Sequence, residues 1–330
     1  MPLPRVGTIH WYSKRQVDEA GRSAETPRVS VNAAACTLTA GDLEAVFVPA
    51  QGMLAASLRH KGVQMLRRIG DLPAAAAKGS TAGIALLHPW ANRLDGIRYR
   101  AAGREVQLDT SSPLLHLDAH GLPMHGVPWS RLAWEPLESQ HNRVSARLEW
   151  SGKNLLDIFP FPHRLELTAT LSPEALTLQM TLVAASDGAV PVSFGFHPYF
   201  GLPDLPRAKW RLELPAMHRL LLDERGIPSG AQEPWNRFGA ELGERSFDDG
   251  FALLDPSPSF SLTGGPRRIT VEFLTGYRYV QIFAPGNQEF VAIEPMTAPT
   301  SALTSGRGLT VVAPRERFET AFRVRVEAQM

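Results

Sequence analysis

Apolar and polar residues alternate with a period of two in many short runs of this chain. Leu165, Leu167, Ala169 and Leu171 are interleaved with Glu166, Thr168 and Thr170. Beyond Ser172-Pro173-Glu174-Ala175, Leu176, Leu178, Met180 and Leu182 alternate with Thr177, Gln179 and Thr181. Successive side chains of a strand point to opposite faces, so this pattern predicts a half-buried β-hairpin. The same period recurs in Val144, Ala146, Leu148, Trp150, in Trp210, Leu212, Leu214, in Ile269, Val271, Phe273 and in Phe322, Val324, Val326. Leu43 to Val48 and Met53 to Leu58, split by Pro49-Ala50-Gln51-Gly52, predict an earlier strand pair and its turn, with Cys36 in a strand before them. No segment carries an apolar stripe at helical spacing over three turns, and strands do not alternate with helices as a parallel sheet requires. The expected fold is all-β: a large antiparallel β-sandwich with few short helices. Ala74 to Ala77, bounded by Pro73 and Gly79, allow one helical turn at most. Residues 1–30 are polar, broken by Pro2, Pro4 and Pro27, and are expected to form an extension or loosely docked arm. No composition break or repeat divides 31–330, which is expected to be one domain.

Composition narrows the classes of function. The 27 prolines and 27 glycines are too evenly spread for long helices. A hydrophobic fraction of 44% with 20% charged residues suits a folded chain with a substantial core. Lys and Arg (34) balance Asp and Glu (33), and no basic run exceeds Arg67-Arg68 or Arg267-Arg268, so nucleic acid and anionic membranes are not expected partners. A lone cysteine, Cys36, excludes an intramolecular disulfide and any multi-cysteine metal site. No apolar run resembles a signal peptide or a membrane span, so a cytoplasmic location is expected. GxSxG, Walker and GxGxxG patterns are absent; Lys78-Gly79-Ser80-Thr81 lacks the upstream glycines of a phosphate loop.

Five stretches carry candidate chemistry. In Phe194-Gly195-Phe196-His197-Pro198-Tyr199-Phe200, Pro198 biases His197 towards an extended backbone and aromatic rings flank an imidazole that titrates near neutrality. A packed core histidine fits the stretch equally well. Asn92-Arg93 offers a fork of donors to hydroxyls or a carboxylate, with a salt bridge to Asp95 as the plain structural reading. His116, Asp118, His120 and His125 fall within a short span, but Pro113 and Gly121 leave little room for a helix and no HExxH pattern is present. No metal is expected, and His125 reads as a loop histidine placed to donate a hydrogen bond. Asp248-Asp249 stand between Phe247 and Phe251, a pairing of carboxylates and rings that suits sugar hydroxyls; an Asp249-Gly250 turn is the alternative. Glu294 follows four apolar residues and should end a buried strand, where loss of water raises a carboxyl towards the range of a useful base.

Taken in order, Asn92-Arg93-Leu94, His125-Gly126, His197-Pro198-Tyr199-Phe200, Asp248-Asp249-Gly250-Phe251 and Ile293-Glu294-Pro295 resemble the motifs of the aldose 1-epimerase (galactose mutarotase) family. The resemblance covers about residues 88 to 300 and leaves the first 30 outside. It implies a galactose mutarotase-like supersandwich and cofactor-free interconversion of the α and β anomers of a free sugar. Glu294 is similar to the general base that takes the anomeric proton, and His197 to the general acid that protonates the ring oxygen. Asn92, Arg93, His125 and Asp248 are similar to the residues that hold the hydroxyls. Two departures mark a divergent branch: Val127-Pro128 follow His125-Gly126 where a second glycine is usual, and Met296 stands where glutamine is usual. The alternatives are a sugar-phosphate epimerase, for which Arg59, Lys61 and Arg93 would have to converge, and a sugar-binding or sensor protein without catalysis. A hydrolase or lyase on the same scaffold would use Asp248 or Tyr199. A small-molecule sugar is the expected partner, for a monomer or a homodimer.

Overall fold

The computed structural model describes residues 35–67, 74, 81 and 83–328. The N-terminal extension, and nearly all of the connector from Pro73 to Gly79, lie outside the described residues. Among those described, an 11-stranded and a 9-stranded antiparallel sheet dominate, with two two-stranded ribbons and two short α-helices, Lys153–Ile158 and Ala302–Ser305. The expected hairpin is the pair His163–Leu171 and Ala175–Ala184, in unbroken register from His163 opposite Ala184 to Leu171 opposite Leu176. Its burial alternates residue by residue along His163–Leu171, as a sheet with one wet face requires. Strands Leu43–Val48 and Leu54–His60 pair as the early pattern predicts, and Cys36 opens the strand beside them.

The two sheets share one core. Phe196, Val280 and Ile293 of the larger sheet belong to the same buried cluster as Leu165, Leu178 and Phe322 of the smaller, and the rings of Phe196 and Phe322 lie 5.3 Å apart. In the middle of the larger sheet the alternation disappears. All six residues of Gly195–Phe200 and all six of Val291–Met296 are buried. These strands are covered on both faces, which is why they read as continuous apolar runs. Their second cover is the segment between His88 and Trp134: Trp129 packs on Leu54 and Ala85, and Ala91 on Leu87 and Met296.

Register lays one row of side chains across this second face. His197 lies opposite Ala85, and Gln281 opposite both Glu294 and Gly250. Pairing of Gly195 with Met296 and of Tyr199 with Ala292 brackets His197 against Glu294. Pairing of Arg219 with Phe251 carries the row on to Leu220, and Leu220 lies opposite Gln232. Neighbouring strands stand about 4.8 Å apart, so chemistry on this row sits at fixed intervals.

A second histidine pair lies inside the core. His163 donates from Nδ1 to the Phe161 carbonyl at 2.6 Å, which leaves its Nε2 to accept from His88 Nε2 at 3.0 Å. Trp150 stacks on His163, and Phe194 and Phe159 close around His88. Burial pushes His163 down to about 4 and His88 well below its ordinary value. Both stay neutral in the folded protein near neutral pH, whereas the unfolded chain takes up protons below about 6.5. Stability held by this pair is therefore present above that pH and is lost as pH falls. At pH 5 the expected loss is about 2 kcal/mol per histidine relative to pH 7 or above. Urea midpoints at pH 7 and pH 5 measure it, and replacing His88 with Leu together with His163 with Phe should shrink the difference.

Candidate functional site

His197 and Glu294 face each other from adjacent strands, with His197 Nε2 3.3 Å from Glu294 Oε1 and exposures of 3% and 2%. Both therefore sit on buried strands, as expected for Glu294, and they touch. The hydroxyl of Tyr199 converges on the same Nε2 at 3.0 Å, and its ring stacks on the imidazole at 4.0 Å. Residues 197 and 199 share a face of the strand, so the sequence order alone produces that stack. Tyr199 also bonds Thr81 through its hydroxyl and carries the Arg67 guanidinium over its ring. Burial pushes the phenol up, which keeps it a neutral hydrogen-bonding group.

Loss of water is the main cause of both shifts in the central pair. It pushes the Glu294 carboxyl well above its ordinary value, with the Asp248 charge adding to it and Arg93 opposing it. It pushes the His197 imidazole well below its own, helped by His125. Separate charges are disfavoured on both groups, so the stable state of the pair holds one proton between two atoms in contact.

Arg93 anchors the polar surroundings. Its Nε donates to Asp118 Oδ2 at 2.6 Å and its Nη1 to Asn92 Oδ1 at 3.2 Å. The expected salt bridge to Asp95 is not formed; Asp95 pairs with Arg225 at 2.8 Å. Asn92 explains the difference, because its positive φ of 57° turns the chain and sends Arg93 towards Asp118. Asp118, weighed above as a metal ligand, accepts from Arg93 and from the backbone of His120 and Leu122. Burial works to raise its carboxyl, but these donors hold it below the usual range. Among the described residues no three His, Cys, Asp or Glu side chains gather as a metal would need.

His125 and Asn92 exchange two hydrogen bonds: the Asn92 amide donates to His125 Nδ1 at 3.2 Å, and the His125 amide to the Asn92 carbonyl at 2.9 Å. With Nδ1 accepting, the proton of the neutral ring lies on Nε2, so His125 presents the donor expected of it. Burial and Arg93 push it down to about 3, and its ring meets that of His197 edge-on at 5.6 Å.

Asp248 and Asp249 part company. They lie within the strand Phe247–Leu253, not in a turn, because Asp249 and Gly250 pair with Ile282 and Gln281. Asp248 stands on the face of the row and accepts from Gln281 Nε2 at 2.8 Å, while Asp249 pairs with Arg219 at 3.1 Å. Asp248 keeps solvent contact, yet the surrounding protein still pushes its carboxyl up. Sequence reasoning missed Gln281 and the hydroxyl contact of Tyr199. Gln281 carried one readable signal, a polar residue inside the apolar strand Tyr279–Ala284.

A two-sheet antiparallel sandwich of this order, with a buried imidazole and carboxyl in contact on the second face of its larger sheet, is a galactose mutarotase-like fold. The chain belongs to the aldose 1-epimerase family, whose sequence model matches residues 35–325. The uncharacterised protein YihR of Escherichia coli strain K12 is 24% identical over 237 residues, covering 69% of this chain and 73% of that protein. A galactose mutarotase-like protein from Clostridium acetobutylicum superposes with a TM-score of 0.77 at 18% identity, covering 89% of this chain and 95% of its own. Galactose 1-epimerase from Lactobacillus acidophilus NCFM superposes with a TM-score of 0.73 at 14% identity, covering 93% and 98%. At these identities the superpositions establish the fold. No described helix is long and apolar enough to cross a membrane.

Gly126 holds His125 against the rest of the site. Its φ is +66°, and a Cβ there would lie 2.3 Å from the His88 carbonyl oxygen. Gly126→Ala should lower the unfolding free energy by at least about 1–3 kcal/mol from backbone strain alone. Urea denaturation at pH 7 checks this.

Proposed function

We propose that the chain is an aldose 1-epimerase that interconverts the α and β anomers of a free sugar, with Glu294 as general base and His197 as general acid. The observation that carries the reading is their buried contact, 3.3 Å between Nε2 and Oε1, on a face that also carries Asp248 and is covered by the segment bearing Arg93 and His125. In the productive state Glu294 is a carboxylate and His197 an imidazolium. Glu294 takes the proton of the anomeric hydroxyl while His197 gives its own to the ring oxygen, and the C1–O5 bond breaks to leave an open aldehyde. The pair then stands as carboxyl and neutral imidazole, the distribution that burial favours. Rotation about C1–C2 turns the aldehyde, and the two protons return on its other face. One proton resides on the pair before and after each step, so no exchange with solvent and no cofactor is needed.

The surroundings fit this division. Arg93, fixed by Asp118, Asn92 beside it, and His125 with Nε2–H supply donors; Asp248, fixed by Gln281, supplies an acceptor. Retention of both acid and base favours an enzyme over a sugar sensor. The sugar-phosphate reading is disfavoured, because Arg59 pairs with Glu44 and Lys61 with Asp42, leaving no cluster with Arg93. The enzyme is proposed to act in the cytoplasm, as a monomer or homodimer.

Polarimetry or proton NMR on freshly dissolved α-glucose and α-galactose tests the reading. The protein should accelerate mutarotation, and Glu294→Gln or His197→Asn should each cut kcat by about 10²–10⁴-fold. A wild-type rate equal to buffer across free aldoses would sink the assignment. The pH profile of kcat/KM should be a broad bell. Its acid limb belongs to a second proton on the imidazole that burial pushes down, and its alkaline limb to loss of the last proton from the carboxyl that burial pushes up. A bell confined between the ordinary carboxylate and imidazole values, about 4.3 and 6.5, would contradict the burial argument.

A further inference from the structure

His197 has to carry a charge in the productive state of the pair, and much of what surrounds it opposes that charge. Burial, His125 and the Arg67 guanidinium all push the imidazole down. Its Nδ1 bonds no other residue among those described, so the ring lacks the second-nitrogen contact by which histidines are commonly oriented. The rings of His125 and Phe283 stand nearly at right angles to it, at 5.6 and 6.2 Å. Among the described rings only Tyr199 lies flat on the imidazole, 4.0 Å away and inclined by 12°.

Tyr199 is itself fixed at both ends. Its amide donates to the Gly83 carbonyl at 3.0 Å, and its carbonyl accepts from the Arg67 amide at 2.7 Å. The Phe290 ring stands against its own at 4.9 Å, and the Arg67 guanidinium lies closer to Phe290 (4.7 Å) than to Tyr199 (5.7 Å). At the far end the phenol oxygen meets two groups: His197 Nε2 at 3.0 Å, and the hydroxyl of Thr81, 118 residues away in the chain. The phenol has one hydrogen to give, so it serves one of these neighbours or the other. Thr81 can accept it and, being half-buried, can leave its own hydrogen to solvent. An imidazolium is a donor at both nitrogens, so it repels a hydrogen aimed at Nε2 and attracts the oxygen lone pairs.

We infer that Tyr199 is a positioning residue for His197: its ring face carries the imidazolium, and Thr81 takes the phenol hydrogen so that oxygen lone pairs face Nε2. A cation within about 6 Å of an aromatic face is attracted to it, most strongly where water is excluded. No proton changes owner and no bond breaks; the phenol O–H only turns. Without Thr81 as acceptor the same hydrogen points at Nε2, makes that nitrogen an acceptor and favours the neutral imidazole. The effect on rate rests on the epimerase reading, whereas the effect on the His197 proton stands apart from it.

The test uses Thr81→Val, which keeps the shape and removes the acceptor, and Tyr199→Phe, which keeps the ring and removes the oxygen. On a free sugar that wild type accelerates, Tyr199→Phe should lower kcat about fivefold, the worth of one hydrogen bond, and Thr81→Val about tenfold, because it reverses the phenol dipole. KM should stay within about twofold in both, since neither group touches the sugar. In the Tyr199→Phe background Thr81→Val should add less than about twofold, because Thr81 acts only through the phenol. Thr81→Ser, which keeps the hydroxyl, should restore the rate. Losses that multiply in the double variant, or that fall on KM instead of kcat, overturn the inference. The second readout is ¹⁵N NMR of the His197 side chain in the sugar-free protein near neutral pH. Its Nε2 resonance should move towards that of an unprotonated nitrogen in Thr81→Val, and should be the same in Tyr199→Phe with and without Thr81→Val. A resonance that Thr81→Val leaves unmoved overturns the inference. If no free sugar is accelerated, the catalytic assignment fails and this resonance alone decides the role of Tyr199.

Discussion

Everything at the site depends on keeping two titratable groups out of water while holding them against each other. Isolated charges in such a place are costly, and each group alone escapes that cost by giving up its charge. Contact changes the problem, because one proton then serves both groups and the pair stays neutral overall. The register between Gly195–Phe200 and Val291–Met296 supplies that contact, and cover on both faces of the sheet supplies the dryness. A shift of one residue in either strand would turn His197 or Glu294 into the core between the sheets.

One short segment serves both sides of this sheet. His88 sends its imidazole into the core to meet His163, and its carbonyl accepts from the Val127 amide at 2.9 Å. Four and five residues later, Asn92 and Arg93 meet His125 and Asp118 on the other face. Core packing thus sets the position of Asn92 and Arg93 through the backbone rather than through side-chain contact. Left-handed backbone at Asn92, His125 and Ser301 gathers at this crossing, where the surrounding hydrogen bonds hold conformations that bulky residues rarely adopt.

Much of this was legible in the chain itself. The alternation at 144–150, 165–182 and 322–326 named strands that the smaller sheet contains, because one wet face preserves a period of two. Glu294 was legible for the opposite reason: a single acid after four apolar residues marks a strand with no wet face. Where partners are chosen across space, the reading went astray. Arg93 beside Asp95 looked like a local ion pair, yet the turn at Asn92 directs it to Asp118, 25 residues away. The alternative of an Asp249-Gly250 turn is not taken up, because strand pairing with Gln281 and Ile282 overrides the local preference of that dipeptide. Gln281 gave only its polarity as a clue, since its role follows from lying opposite both Glu294 and Gly250.

By itself the sequence determined the class of fold, the location of the reactive residue types and their order, because periodicity and strand-end chemistry are local properties. The tertiary structure alone decided which groups touch: Nε2 of His197 against Oε1 of Glu294, and Asp248 rather than Asp249 on the face of the row. Those depend on register between strands distant in the chain and on which loops cover the sheet, and no local pattern records either. Burial, and with it the upward shift of the Glu294 carboxyl and the downward shift of the His197 imidazole, is likewise a property of the packed whole.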